Sequence, residues 1–181
     1  MKRIYAWLAA FAMIATFGLI VPASATAAPY CGITWGSLAK TSSSHTSAPM
    51  TDVRTGKHAC FDRMVVDIGG TGAGYTVRYV TAVHEEGSGR IVPLRGAADL
   101  AVTVNAPTHN GYGYAVYRPA NRNELTNVAG YSTFRQLALA GSFEGQTTIG
   151  VGVRARLPFR AFVLNGPGTD SRLVIDVAHR W

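Results

Sequence analysis

Charged side chains are scarce in this sequence: Asp, Glu, Lys and Arg make up 15% of 181 residues, and the acids number only 10. No run of Lys and Arg and no basic helix stands out, which argues against nucleic acid as the partner. Cysteine is scarcer still, with two residues in all, Cys31 and Cys60. Neither sits in a Cys-x-x-Cys or Cys/His spacing, so a metal site is not expected. An even cysteine count in an exported chain reads instead as one disulfide. Closing a loop of roughly 30 residues stabilises a fold by about 3–4 kcal/mol in the chain-entropy account.

Catalytic signatures are missing as well. The Gly-x-Ser-x-Gly elbow of serine hydrolases does not occur, and the five histidines are scattered along the chain. His84-Glu85-Glu86 opens like a zinc-protease motif, but Ser88 stands where the second histidine would have to be. The run Gly69 to Gly74 follows a strand-like segment and superficially suggests a phosphate loop. Phosphate loops need a helix N-terminus directly after them, and here Tyr75-Thr76-Val77-Arg78-Tyr79-Val80 reads as a strand. The glycines are therefore expected to make a hairpin connection.

What the sequence does contain begins with an export signal. Lys2 and Arg3 precede an uncharged apolar stretch over 4–21, which ends in Pro22-Ala23-Ser24-Ala25-Thr26-Ala27. Small residues at the positions read by signal peptidase place cleavage after Ala25 or Ala27, with an uncleaved membrane span as the alternative. No second hydrophobic segment suggests a membrane anchor, so no stable membrane insertion is expected once the signal is removed. Removing Lys2 and Arg3 from the 17 basic residues leaves 15 against 10 acids, a balance of +5. Such a domain can be drawn to anionic polymers such as teichoic acid, although dispersed charge also serves solubility.

The remaining chain, roughly 155 residues, is the length of one domain. Residues 40–49 are polar and small and are read as a loop or linker spanned by the disulfide, with the folded body starting near Val53. Beyond it, short alternating or β-branched runs recur between glycines, at 63–68, 75–83, 91–94, 100–104, 112–117, 134–139, 147–153, 159–164 and 173–177. This pattern predicts an all-β, two-sheet sandwich of about eight or nine mostly antiparallel strands. The single short segment with helical spacing is 121–129. The division is thus 1–27 signal peptide, 28–52 disulfide-tethered segment and linker, and 53–181 β domain.

Two segments echo one another: Arg63-Met64-Val65-Val66-Asp67-Ile68 and Arg172-Leu173-Val174-Ile175-Asp176-Val177. Alternation puts Met64, Val66 and Ile68 on one face and Arg63, Val65 and Asp67 on the other. The pair could be equivalent strands of a duplicated two-sheet fold, or a convergence of strand sequences. Asp67 and Asp176, with Glu144 as a third, are the carboxylates a glycan hydrolase would need. Each of the first two has an arginine on its own strand face, Arg63 for Asp67 and Arg172 for Asp176, which favours structural ion pairs. Glycan recognition combines aromatic faces with planar hydrogen-bonding groups. Tyr75, Arg78, Tyr79 and Arg160 are the candidates for ligand binding, with Tyr112, Tyr114, Tyr117 and Arg118 offering the same chemistry. The tyrosines could equally cover sheet faces.

Several motifs together resemble a known family. Cys31-Gly32-Ile33-Thr34-Trp35-Gly36-Ser37, Val53-Arg54-Thr55-Gly56-Lys57-His58-Ala59-Cys60, Gly74-Tyr75-Thr76-Val77-Arg78, Gly141-Ser142-Phe143-Glu144-Gly145, Pro158-Phe159-Arg160 and the Arg172 to His179 segment look like the AMIN-like domain proteins exported by actinobacteria. The resemblance covers nearly all of the chain beyond the signal. It implies a β-sandwich related to the AMIN domain, which targets amidases and secretin complexes to peptidoglycan or the septal wall. It carries over no catalytic residue and no cofactor. Many relatives look lipid-anchored, whereas here bulky Tyr30 precedes Cys31, so the chain is expected to be secreted, either extracellular or associated with the cell wall. The reading is a secreted non-catalytic envelope module binding peptidoglycan or another anionic wall polymer. The alternative is a secreted hydrolase or hydrolase inhibitor.

Overall fold

The computed structural model describes residues 29–181, so the signal segment at 1–27 lies outside the described residues. A turn of 3-10 helix at Tyr30–Gly32 leads into eleven strands: β1 (Lys40–Ser42), β2 (Met50–Lys57), β3 (Phe61–Ile68), β4 (Tyr75–Val80), β5 (Val83–His84), β6 (Ile91–Val92), β7 (Ala98–Val104), β8 (Phe134–Phe143), β9 (Gln146–Val153), β10 (Phe159–Asn165) and β11 (Ser171–Ala178). Every strand pairing is antiparallel. One sheet has the order β10-β11-β3-β2 and the other β1-β4-β7-β9-β8, with β5 and β6 forming a separate small hairpin. The all-β sandwich expected from the alternation is thus the fold; eight of the nine runs fall on strands, and β1, β2 and a separate β5 are additional to the pattern.

Period-two burial explains the packing. Met64, Val66 and Ile68 from β3 and Leu173, Ile175 and Val177 from β11 point inward, against Val77, Leu100, Val102, Ile149 and Val151 of the facing sheet. Burying a side chain of this kind fully is worth roughly 1.5–3 kcal/mol. At one end Asp62, also inward and closed to solvent, accepts the backbone N–H groups of Thr133 (2.5 Å) and Phe134 (3.1 Å) and lies 3.1 Å from His179 Nε2. The open side between β4 and β10 is stitched by two phenols. The Tyr75 hydroxyl donates to the Ala161 carbonyl at 2.9 Å and the Tyr79 hydroxyl to the Leu157 carbonyl at 2.7 Å.

The outer face of the five-stranded sheet is roofed by the β5–β6 hairpin, where Val83 and Val92 pack on Ala101, Ala138 and Ala140 in a second small core. Glycine in β9 makes that roof possible: a Cβ on Gly152 would stand 2.0 Å from the Arg95 carbonyl oxygen. The echoing segments are not equivalent strands of two sheets. They are β3 and β11, neighbours in one sheet, with Arg63 opposite Asp176 and Asp67 opposite Arg172.

Four local expectations change. The glycines at 69–74 close no hairpin; they carry the chain from β3 in one sheet to β4 in the other, because β3 pairs with β2 and β11 and β4 with β1 and β7. Residues 40–49 are not loop throughout, because β1 pairs with β4 through Lys40 opposite Val77. The folded body begins before Val53, since fully buried Met50 opens β2. Residues 112–117 form no strand and 121–129 no helix. The former is a turn closed by one bridge, His109 to Ala115, and the latter lies along the β8 edge, with Leu125 N–H donating to the Leu137 carbonyl at 2.9 Å. Tyrosine alternation imitates a strand at 112–117, but no neighbouring strand is there to complete a ladder.

Candidate functional site

The outer face of the four-stranded sheet carries the densest polar and aromatic cluster. Alternation that sends Met64 and Leu173 inward sends Arg63, Asp67, Arg172 and Asp176 outward. Antiparallel register then lays Arg160, Asp176 and Arg63 in one row across β10, β11 and β3. Asp176 is 0% exposed although it faces outward, because two guanidiniums close over it. Arg63 donates to both carboxylate oxygens, at 2.6 and 2.9 Å, and Arg160 Nε donates to Oδ2 at 2.7 Å. The Asp176 hydrogen bonds raise the Arg63 guanidinium above its ordinary, already high pKa.

Aromatic rings frame these cations. The Arg160 guanidinium carbon lies 5.1 Å from the Phe162 ring centroid, 5.5 Å from Phe61 and 5.6 Å from Trp35, and Arg63 lies 5.2 Å from Phe61. Such distances allow cation–π attraction. Trp35 arrives from outside the sheet: Phe159 N–H donates to the Gly36 carbonyl at 2.9 Å, and the Cys31–Cys60 disulfide, with its Cα atoms 6.4 Å apart, ties the same segment to the start of β3. The predicted cysteine pairing is therefore present.

The ion pairs run across strands rather than along them. Arg63 serves Asp176, not Asp67; Asp67 is held by Arg54 of β2, through Nε at 2.5 Å and Nη2 at 2.8 Å. Residues four apart on one strand are separated by about 13 Å, whereas facing residues on adjacent strands are about 5 Å apart. That difference corrects the pairing read from the sequence. Arg172 consequently has no carboxylate among the described residues. Its facing Asp67 is already committed to Arg54, and its buried Nε has no hydrogen-bond partner.

The other sequence candidates fall elsewhere. Tyr75 and Tyr79 lie between the sheets with their hydroxyls spent on backbone carbonyls, and burial pushes both phenols above their ordinary pKa. Arg78 is exposed on the opposite sheet, far from the cluster that contains Arg160. Glu144 occupies a two-residue turn with Gly145, both at positive φ, and is exposed. Arg54, Trp35, Phe61 and Phe162 complete the cluster and were not singled out. A readable signal existed for the last: Arg160-Ala161-Phe162 alternates so that Phe162 must share Arg160's face. Trp35 had none, because it joins the face through a tertiary bridge.

No group of three or more metal-ligating side chains occurs among the described residues, and none of their helices is long and apolar enough to cross a membrane. No curated protein and no solved structure matches the chain. A family model for the AMIN-like domain matches residues 48–179, well over half of the sequence. That span opens just before β2 and closes just after β11, taking in the whole four-stranded sheet and its charged outer face. The chain therefore belongs to the AMIN-like domain family, a family of cell-envelope proteins.

Proposed function

We propose that the chain is an exported, non-catalytic cell-envelope module that holds an anionic wall polymer, peptidoglycan or teichoic acid, on the outer face of its four-stranded sheet. The observation that carries this reading is the Arg172 guanidinium, which lies on that face with no carboxylate partner among the described residues. Around it, Arg54, Arg63, Arg160 and Arg172 outnumber Asp52, Asp67 and Asp176, so the face is net positive. Guanidinium suits carboxylate and phosphate alike, because its planar fork of donors matches their oxygens. Rings at Trp35, Phe61 and Phe162 limit how far Arg63 and Arg160 can move, which lowers the entropy lost on binding.

Against catalysis stand the engaged carboxylates: Asp67 and Asp176 accept hydrogen bonds from arginines and do not face each other across a cleft. Export is supported by the charged, apolar and small-residue order of the first 27 residues.

The test is sedimentation of the purified protein with insoluble peptidoglycan, prepared with and without teichoic acid, over a salt series. Retention by one of the two preparations, weakened several-fold by Arg172→Gln, is the expected result. No retention on either overturns the proposal. Loss in modest salt would reduce it to bulk charge attraction. Zymography of the wild type beside Asp67→Asn and Asp176→Asn checks the catalytic alternative, and a cleared band in the wild-type lane alone would establish it.

A further inference from the structure

A second surface, away from the arginine face, is built from the connection between β7 and β8. Within it Tyr112 is 88% exposed and Tyr114 72% exposed, at the tip of a loop running from Thr108 to Tyr117. Exposed aromatics on a slack loop would need no explanation, but this loop is fixed. The Asn110 side-chain oxygen accepts the N–H groups of both Tyr112 and Tyr114 at 3.0 Å, and the Asn110 N–H donates to the Tyr114 carbonyl at 2.9 Å. Thr108 accepts the N–H groups of Val116 and Tyr117 at 2.8 and 3.0 Å, and the buried Tyr117 side chain anchors the base. These bonds fix the main chain of the loop on both sides of its tip, so the two rings are presented to solvent on a preorganised frame.

At the foot of the loop lies a pocket of about 360 Å³ with Thr108 and Ser142 in its wall, joined by a 3.1 Å hydrogen bond. Glu85, Glu86, Arg90 and Arg122 line it as well. Glu85 is paired with Arg90 at 2.8 Å and Glu86 accepts the Thr148 hydroxyl at 2.7 Å, while the second oxygen of each carboxylate keeps lone pairs for a further donor. With two carboxylates and two guanidiniums the pocket carries no net charge, unlike the arginine face. That balance is wrong for a polyanion or an anionic lipid surface. It is right for vicinal hydroxyls, which donate to carboxylates and accept from guanidiniums. Tyrosine rings complement the same ligand: their electron-rich faces stack on the C–H side of a pyranose, and their hydroxyls bond at its edge.

We propose that the Thr108–Tyr117 loop and the pocket at its foot bind a neutral oligosaccharide. Tyr112 and Tyr114 stack on sugar rings, and the pocket takes hydroxyl groups. In naming the glycan strand of the wall as the natural ligand, the inference rests on the wall-polymer reading above; its chemistry does not depend on the arginine face.

The test is calorimetric titration of the purified protein with a soluble β-1,4-linked N-acetylglucosamine tetramer, at salt between about 0.05 and 0.5 M. Saturable binding that salt barely changes is expected, weakened roughly tenfold or more by the double variant Tyr112→Ala/Tyr114→Ala. Arg172→Gln should bind the tetramer like the wild type. Absence of saturable binding, equal affinity in the double variant, or affinity that falls steeply with salt would each overturn the inference. Because both rings are exposed, the double variant should melt with the wild type, and a matching thermal transition verifies that it is folded. Wall retention with no tetramer binding sinks the loop site alone, whereas tetramer binding with no wall retention sinks the arginine face and the wall strand as the loop's natural ligand, and leaves the oligosaccharide site itself standing.

Discussion

Asp176 shows how a charge is kept on an outward face without water. Its oxygens are taken by Arg63 and Arg160, and the aromatic rings shield the pairs. Replacing it with Asn removes the charge that holds two guanidiniums together and should lower stability by about 1–3 kcal/mol, read from urea unfolding. Arg172→Gln, by contrast, breaks no ion pair and should change stability by less than about 0.5 kcal/mol while weakening polymer binding. Tyr117 gives a signature at the alkaline end. Burial, aided by the charge of Asp52, pushes its phenol up to about 12 from the ordinary 10.0. Because the folded state holds this proton more tightly than the unfolded chain, the contribution is complete below pH 10 and is lost as pH rises towards 12. Unfolding measured from pH 8 to 11 should show that decline, and Tyr117→Phe should make it shallower, leaving the smaller share of Tyr75 and Tyr79.

Strands and turns set the next level. Gly152 and the Arg95 carbonyl approach so closely that Gly152→Ala must push the 91–97 segment off the sheet. A loss of about 1–3 kcal/mol in chemical denaturation is expected, with the β5–β6 roof the first part to exchange its amide hydrogens. Tyr79→Phe removes the hydroxyl that both donates to the Leu157 carbonyl and accepts its N–H, and should lower stability by about 1–2 kcal/mol. Alternation of large apolar residues made β3 and β11 readable at their true faces. β2 escaped because it is an edge strand with a bulge between Met50 and Asp52, so Thr-Asp-Val-Arg-Thr-Gly shows no clean period. β1, three polar residues long, has no hydrophobic period to read; its pairing with β4 is settled only in the folded whole. The arginine face was half legible for the same reason. Which residues point outward follows from one strand alone, but which arginine meets which aspartate depends on the neighbour and its register.

For the whole molecule, the Cys31–Cys60 bond joins the N-terminal segment to the sandwich and holds Trp35 beside Phe61, with ring centroids 6.0 Å apart. Replacing both cysteines with alanine should lower stability by about 2–4 kcal/mol. It should also change the emission of Trp35, while the far-ultraviolet signature of the strands persists.

The placement of β11 between β10 and β3 carries a temporal consequence. Residues 171–178 are made about 100 residues after β3, yet β3, made from residues 61–68, waits for them as its partner on one side. Until they emerge, β3 offers an unpaired row of amides and carbonyls, with Arg63 lacking its aspartate. Arg63 meets Asp176 only in the native antiparallel register, so the closing piece is guided into the slot by charge as well as by shape.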